Sequence, residues 1–336
     1  MDLLNALVAL SNYVIVPAVA YGSQLALGAL GITLIAGVLR FSNFAHGETM
    51  AFGTMIVILM TWWFKSLGIS IYPLPTALLA LPFGIIGCVA MVLFTDRFVY
   101  KFYRSTKSSP VVMVMASLGV TFVMNGVIRF IIGPGDQRFA DGVRFLLKPK
   151  DFKIMTGLNE GLAIKLTQCI TLVTAVIIVT ALFWFLNKTR TGKSMRAFSD
   201  NEDLALLSGI NPERVVAITW ILVAILATVA GTLYGIDKTF KPFTYFQLLL
   251  PMFAAAVVGG LGNPVGAIVG AFVVAFSEIS LTYAYKKFLT YLLPSDLAPD
   301  SLVQLISTDY KFAVSFIILV LVLLFRPTGL FRGQST

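Results

Sequence analysis

Apolar residues gather along this chain in long runs, at roughly 5–22, 23–39, 49–64, 74–95, 111–133, 166–186, 215–236, 248–262, 264–283 and 312–325. A helix needs about 20 mostly apolar residues to cross a bilayer. Several runs are shorter than that, and the pattern predicts an all-α polytopic membrane bundle of about 8–10 transmembrane segments with some short or broken helices. A bundle of this kind is one membrane domain over residues 1–336, not two soluble domains. Two interruptions stand out, at 40–48 and 261–264, where Gly, Asn, Pro and polar residues break the apolar pattern. Non-helical backbone at membrane depth is tolerated only where it is buried in protein or lines a cavity. Paired, glycine-interrupted segments in two halves of a chain are also the mark of inverted-repeat transporters. Between 37–53 and 258–270 that likeness is one of composition.

Composition sharpens the solvent. Hydrophobic residues make up 58% and charged residues 12% of the 336, and the mean hydropathy is +0.89. These values exclude soluble, disordered and disulfide-rich secreted classes. Lys and Arg exceed Asp and Glu, for a net charge of +9. No basic run interleaved with aromatics lies outside the apolar segments, so the excess reads as membrane orientation and headgroup contact rather than nucleic-acid binding. Cys88 and Cys169 sit in apolar runs without metal spacing. Met1-Asp2 opens no basic leader, so the N-terminus is expected to be retained. The short basic loop 96–110 and Arg326 with Arg332 favour the cytoplasm. Counting spans then puts 187–214 on the same side and leaves 134–165 as a small extracytoplasmic cap.

The stretch 187–214 is the most informative polar one. Ser199-Asp200-Asn201-Glu202 has the spacing of a capping box, with the Ser199 hydroxyl and Glu202 carboxylate exchanging backbone partners. The short helix that follows is predicted to end at Gly209, and Asn211-Pro212-Glu213 reads as a second helix start. This leaves about two turns of helix exposing Leu204, Leu206 and Leu207, either a headgroup-level loop helix or a docking helix for a cytoplasmic partner. Gly192-Lys193-Ser194 resembles the end of a phosphate loop, but Asn187 stands where its first glycine belongs. The chain is not expected to bind ATP itself.

Residues 196–200 and 205–211 resemble the ATPase-coupling loop of branched-chain amino acid ABC importer permeases, the LivH-type subunits. Three further segments are similar to that family: 31–33 leading into 40–48, with Asn43-Phe44-Ala45-His46-Gly47-Glu48 the most specific; 258–263; and 326–331. They follow the family's order over most of the chain. The polar stretch 134–165 is longer than usual for the family, and so is the apolar start.

The resemblance implies an ABC importer permease forming the pathway for branched-chain or similar apolar amino acids. Ser199, Glu202, Asp203, Ala205, Leu206, Gly209 and Asn211 would form the ATPase-coupling region. Asn43, Phe44, His46, Gly47 and Glu48, with Gly259, Gly260, Gly262 and Asn263, would form the broken helices or the pathway. The implied partners are two cytoplasmic ABC ATPases, a second permease of LivM type, a periplasmic solute-binding protein and membrane lipid. ATP and Mg would be held by the ATPases, with no cofactor in this chain, and the site would be the bacterial inner membrane. Urea or short amides are the alternative solutes, carried by a sister family. An ion-coupled secondary transporter using Glu48, His46 and Glu278 is the alternative of a different class.

The roles of single polar residues stay open at this level. Asn43, His46 and Glu48 could satisfy each other and the freed backbone, line the pathway, or relay protons; no His-Glu-x-x-His pattern supports a metal. Gly262, Gly266 and Gly270 recur at i, i+4 and i+8, a ridge for close helix packing. Glu278 reads as a snorkelling interface acid or a pathway residue. Asn125 and Arg129 share one helix face, with snorkelling the default for Arg129.

Overall fold

A computed structural model describes residues 2–139, 144–292, 299, 301, 303–326 and 328–331. Nine of its described helices are long and apolar enough to cross a membrane: α1 (Asp2–Leu39), α2 (His46–Ser66), α3 (Ala77–Ser105), α4 (Pro110–Ile132), α6 (Leu166–Lys188), α9 (Pro212–Asp237), α10 (Pro242–Gly259), α11 (Pro264–Thr282) and α13 (Thr308–Phe325). Between them lie β1 (Phe145–Leu147), α5 (Pro149–Thr156), β2 (Ile164–Lys165), α7 (Arg190–Asp200), α8 (Glu202–Leu207) and α12 (Lys286–Leu292). The all-α membrane bundle is as predicted. The two strands form only one antiparallel pair.

One boundary is corrected. The runs 5–22 and 23–39 form a single helical stretch, not two spans. Its only irregularity is a π-turn at Ser11–Ile15 just before Pro17. The wider turn accommodates the proline, which has no N–H to donate. Gly22, Ser23 and Gln24, at the junction of the two runs, lie buried inside the helix.

Helices α1, α2, α9 and α10 make the interior, with α3, α6, α11 and α13 packed around them. Hydroxyls at membrane depth in α2 bond to their own helix. Thr49, Thr54 and Thr61 each donate to the carbonyl four residues earlier, which removes the cost of burying them unpaired.

The two ends of the bundle differ in construction. At one end Leu39, Arg40, Arg104, Lys107, Phe198 and Glu202 surround a common cavity. At the other end the 134–165 segment ties together several elements. Asn5 Oδ1 accepts from the backbone N–H groups of Asn159 and Glu160, and Asn12 Oδ1 from that of Ala163. Arg144 donates to the Pro73 carbonyl, and Gln137 pairs with Phe240 through backbone. The N-terminal end of α1 is therefore on the same side as this cap. Glu160 accepts from Lys287 Nζ (3.1 Å) and Tyr291 OH (2.8 Å). Burial pushes the Glu160 carboxyl up, but the hydrogen bonds and the charge of Lys287 outweigh it and hold it below the ordinary carboxylate range.

Candidate functional site

The first break begins where α1 stops. Arg40 takes a left-handed conformation (φ 55°), and residues 40–45 fold back before α2 begins at His46. The freed backbone is satisfied by two side chains. Asn43 Oδ1 accepts from the Ala45 N–H at 3.0 Å and from the Tyr100 hydroxyl at 3.1 Å. The Phe44 N–H donates to Ser117 Oγ at 3.1 Å.

Of the readings left open for Asn43, His46 and Glu48, Asn43 does satisfy the freed backbone, but the three side chains do not bond one another. His46 is fully buried, packed over Gly31, where an added Cβ would meet its Cε1 at 2.5 Å. Neither of its ring nitrogens makes a hydrogen bond. Glu48 Oε1 accepts from Asn125 Nδ2 at 2.7 Å, and Oε2 has no partner. Both residues sit in the first turn of α2, where a positive helix end favours an anion. Gly47, between them, allows α10 to pack closely, since a Cβ there would lie 2.7 Å from the Tyr245 carbonyl. Phe44 faces Phe253 of α10 with ring centroids 5.3 Å apart.

A buried polar chain supports this break, and sequence reasoning did not find it. Asp96 receives both guanidinium nitrogens of Arg104 and the indole N–H of Trp220. The Trp220 ring stacks on Tyr100, at 5.2 Å between centroids, and Tyr100 in turn holds Asn43. Asp96 opens the stretch read as a basic loop, but α3 continues through it to Ser105, which puts Asp96 on the helix four residues before Tyr100 and eight before Arg104.

The polar stretch 187–214 folds as two helices. Thr189 caps α7 by accepting from Gly192 N; this is the turn that resembled a phosphate loop. The capping box at Ser199 and Glu202 is corrected: α7 runs on to Asp200, and the cap of α8 is Asn201, whose side chain accepts from Leu204 N. Helix periodicity in 190–200 outcompeted the Ser199 cap because Gly192, Met195 and Phe198 bury one face. Ser199 instead donates its hydroxyl to the Gly37 carbonyl at 2.7 Å, and Arg40 donates to the Ser199 carbonyl at 3.2 Å. The α7–α8 unit is thus bonded to the last turn of α1 and to the first residue of the break.

In α8 the leucines at 204, 206 and 207 are exposed, Leu207 at 85%, whereas Ala205 is buried. Gly209 takes the left-handed conformation (φ 80°) that ends α8, and Asn211 caps α9 through Arg214 N, both as predicted. Glu202 and Asp203 border a cavity of about 400 Å³ shared with Arg40, Tyr103, Lys107 and Phe198.

The second break is built from backbone. Gly260 (φ 104°) and Gly262 (φ 83°) turn the chain between α10 and α11, and Asn263 caps α11 by accepting from Gly266 N at 3.1 Å. The predicted glycine ridge is Gly266 and Gly270 only, packed on the backbones of Gly259 and Ala255; Gly262 lies in the turn. Gly262 meets Gly37, bringing the two breaks together. The tail crosses the same place, with the Leu330 N–H on the Val258 carbonyl and the Phe331 N–H on that of Gly259. Pro327 and Arg332 lie outside the described residues.

Glu278 is not a snorkelling acid. It is fully buried, hydrogen-bonded by Ser315 and ion-paired with Lys311 at 3.5 Å. Lys311 lies 3.6 Å from the Tyr21 ring centroid. These partners are separate from those of Glu48, so the structure does not bring the two carboxylates together.

Nine candidate spans among the described residues, two helix breaks that meet at Gly37 and Gly262 and an amphipathic helix pair bonded to the end of α1 define a multi-pass membrane transport subunit. The profile of the family described as "Branched-chain amino acid transport system / permease component" matches residues 14–323, and the chain belongs to that family. The chain is 28% identical to the high-affinity branched-chain amino acid transport system permease protein LivH of Escherichia coli (strain K12), over 93% of this chain and 92% of that one. It is 27% identical to BraD of Pseudomonas aeruginosa, over 92% of each chain. It is also 27% identical to the probable LivH of Methanocaldococcus jannaschii, over 93% and 90%. The chain is an ABC importer permease subunit of the bacterial inner membrane. Its resemblance to the solved PsaBC complex of Streptococcus pneumoniae, at 12% identity and a TM-score of 0.46, is too loose to add to this.

Proposed function

We propose that this chain pairs with a second, LivM-type permease to form the pathway for a branched-chain amino acid. Two ABC ATPases bind ATP and Mg and grip α8 from the cytoplasm, and a periplasmic binding protein delivers solute to the opposite end. Hydrolysis is assigned to the ATPases and none to this chain. Sidedness follows from the same reading, with the α7–α8 end cytoplasmic and the Asn5–Glu160 end periplasmic. The names of the relatives support the solute, and the basic residues of the 96–110 stretch support the orientation.

The observation that carries the proposal is the direct bonding of Ser199 and Arg40 between the α7–α8 unit and the end of α1. Closure of the ATPase dimer pushes on the exposed leucines of α8. The Ser199–Gly37 and Arg40–Ser199 bonds pass that displacement to the break at 40–45, which carries Phe44, His46 and Glu48. The break then switches between arrangements open to either side, because packed elements shift between discrete states rather than deform continuously.

Reconstitution of this chain with its ATPases, partner permease and binding protein in liposomes tests the proposal. ATP-dependent leucine uptake that requires the binding protein is the result expected. Uptake by the chain alone, driven by an ion gradient, would overturn it in favour of a secondary transporter.

A further inference from the structure

One flank of α4 carries two polar side chains, Asn125 bonded to Glu48 and Arg129 one turn further on. Helix α4 is otherwise strongly apolar, yet Asn125 is half-buried and Arg129 is exposed. The Arg129 guanidinium makes no hydrogen bond or salt bridge to a described residue. Arg129 stands four residues after Asn125 on the same face of α4, and Asn125 is bonded to Glu48. Glu48 itself is fully buried, held by Asn125 through one oxygen, with the other oxygen unpartnered. A buried carboxylate oxygen left without a partner is costly, and such a group inside a membrane protein marks a place where something binds.

The depth of these groups fits an entry site. At about 1.5 Å of rise per residue, Asn125 lies about 10 Å and Arg129 about 5 Å from the end of α4 that meets the 134–165 cap. The cation is therefore nearer the outside and the anion deeper in. Across the break, Phe44 and Phe253 form a partly buried aromatic pair beside the start of α2.

We propose that Glu48 and Arg129 are the charge pair that recognises a zwitterionic α-amino acid in the pathway, Glu48 taking the ammonium group and Arg129 the carboxylate. The inference rests on the permease reading above. An α-amino acid puts its two charges close together, so flanking partners with contacts of about 2.8 Å each stand roughly 8 Å apart. One helical turn is about 5.4 Å, and the reach of an arginine side chain covers the remainder. Asn125 positions Glu48 by holding Oε1, which leaves Oε2 for the solute. The Phe44–Phe253 pair gives the branched side chain an apolar surface. Arg129 selects for a carboxylate because a guanidinium binds it through two parallel hydrogen bonds, which a lysine ammonium cannot reproduce.

The test uses the complete importer, with binding protein, ATPases and partner permease, in proteoliposomes supplied with ATP and radiolabelled leucine. R129Q and E48Q should each lower the initial rate of uptake at least tenfold, and R129K should recover only part of the R129Q loss. R129C in the assembled importer keeps the test independent of folding. Its uptake should rise after reaction with a cationic aminoethyl thiosulfonate and stay low after reaction with an anionic sulfonatoethyl one. Leucine uptake by R129Q within twofold of wild type, or equal rescue of R129C by both reagents, would overturn the inference while the permease reading stands. A wild-type importer that carries short neutral amides and not leucine would overturn the charge pair and the assigned solute together.

Discussion

The two helix breaks look alike in sequence, each with glycines and an asparagine, but they are built for different work. At 40–45 the chain turns through Arg40, and side chains of Asn43 and Ser117 satisfy the freed backbone. That leaves His46 and Glu48 buried and under-bonded at the start of α2. At 260–263 the turn is made by Gly260 and Gly262, with Gly259, Gly266 and Gly270 bringing backbones together and the tail strapped across. One break presents chemistry, and the other is a packed anchor that the first rests against at Gly37 and Gly262. Under-bonded polar groups distinguish the first break and close backbone contact the second.

Substitutions divide along the same line. Gly266→Leu in the anchor has no room, because the added Cβ falls on the Gly259 backbone. Overpacking costs about 1–3 kcal/mol, and more where the clash is with backbone that cannot yield, so the variant should give markedly less folded protein than wild type in a fluorescence size-exclusion assay. His46→Gln should yield as much folded protein as wild type while lowering uptake. Equal yields for both would erase the distinction between the breaks.

Asp96→Asn comes next in size. It leaves Arg104 partly buried without its carboxylate and weakens the Trp220 bond. Breaking such a pair costs about 3 kcal/mol, visible as a lower melting temperature of the purified chain in detergent. An unchanged melting temperature would show that the Asp96–Trp220–Tyr100 chain does not support the break.

Replacing Leu204, Leu206 and Leu207 with serine removes an exposed apolar face of α8. It should abolish co-purification of the ATPases and leave the melting temperature within about 1 °C, since surface changes move stability by roughly 0.5 kcal/mol or less. Retained ATPases would place their grip elsewhere.

The smallest effect is at the outer cap. The Glu160 carboxyl is held low despite burial, by hydrogen bonds from Lys287 and Tyr291 and by the Lys287 charge. Its contribution is full above the ordinary glutamate pKa and is lost as pH falls through its depressed value. Lys287 is raised, first by its hydrogen bond to Glu160, so its share is lost only as pH rises through that raised value. Glu160→Gln should cost about 1 kcal/mol at pH 7 and flatten the acid limb of the stability profile. An unaltered acid limb would contradict the assignment.

The spans were legible because apolar runs near the bilayer length leave few alternatives, and caps at Asn211 and Gly209 use residue types with one favoured place. The join at 22–23 was not legible, since a buried Gly-Ser-Gln in a membrane helix has the composition of a loop. Neither was the Ser199 bond to Gly37: a serine three residues before an acid looks like a cap until tertiary burial of Met195 and Phe198 extends α7 past it. Asn43, His46 and Glu48 were legible through the family resemblance of their segment and as polar groups at a break. The groups that hold this segment, Tyr100 on Asn43, Ser117 on the Phe44 N–H and Asn125 on Glu48, come from helices far along the chain, where periodicity carries no information about pairing.

The central claim is that force from α8 enters the pathway through the bonds joining Ser199 and Arg40 to the end of α1. The direct measurement is solute carried per ATP hydrolysed by the reconstituted importer with Ser199→Ala. The account predicts that the ATPases stay bound and hydrolyse ATP while leucine carried per ATP falls several-fold. An unchanged ratio, with the hydroxyl gone, would contradict it.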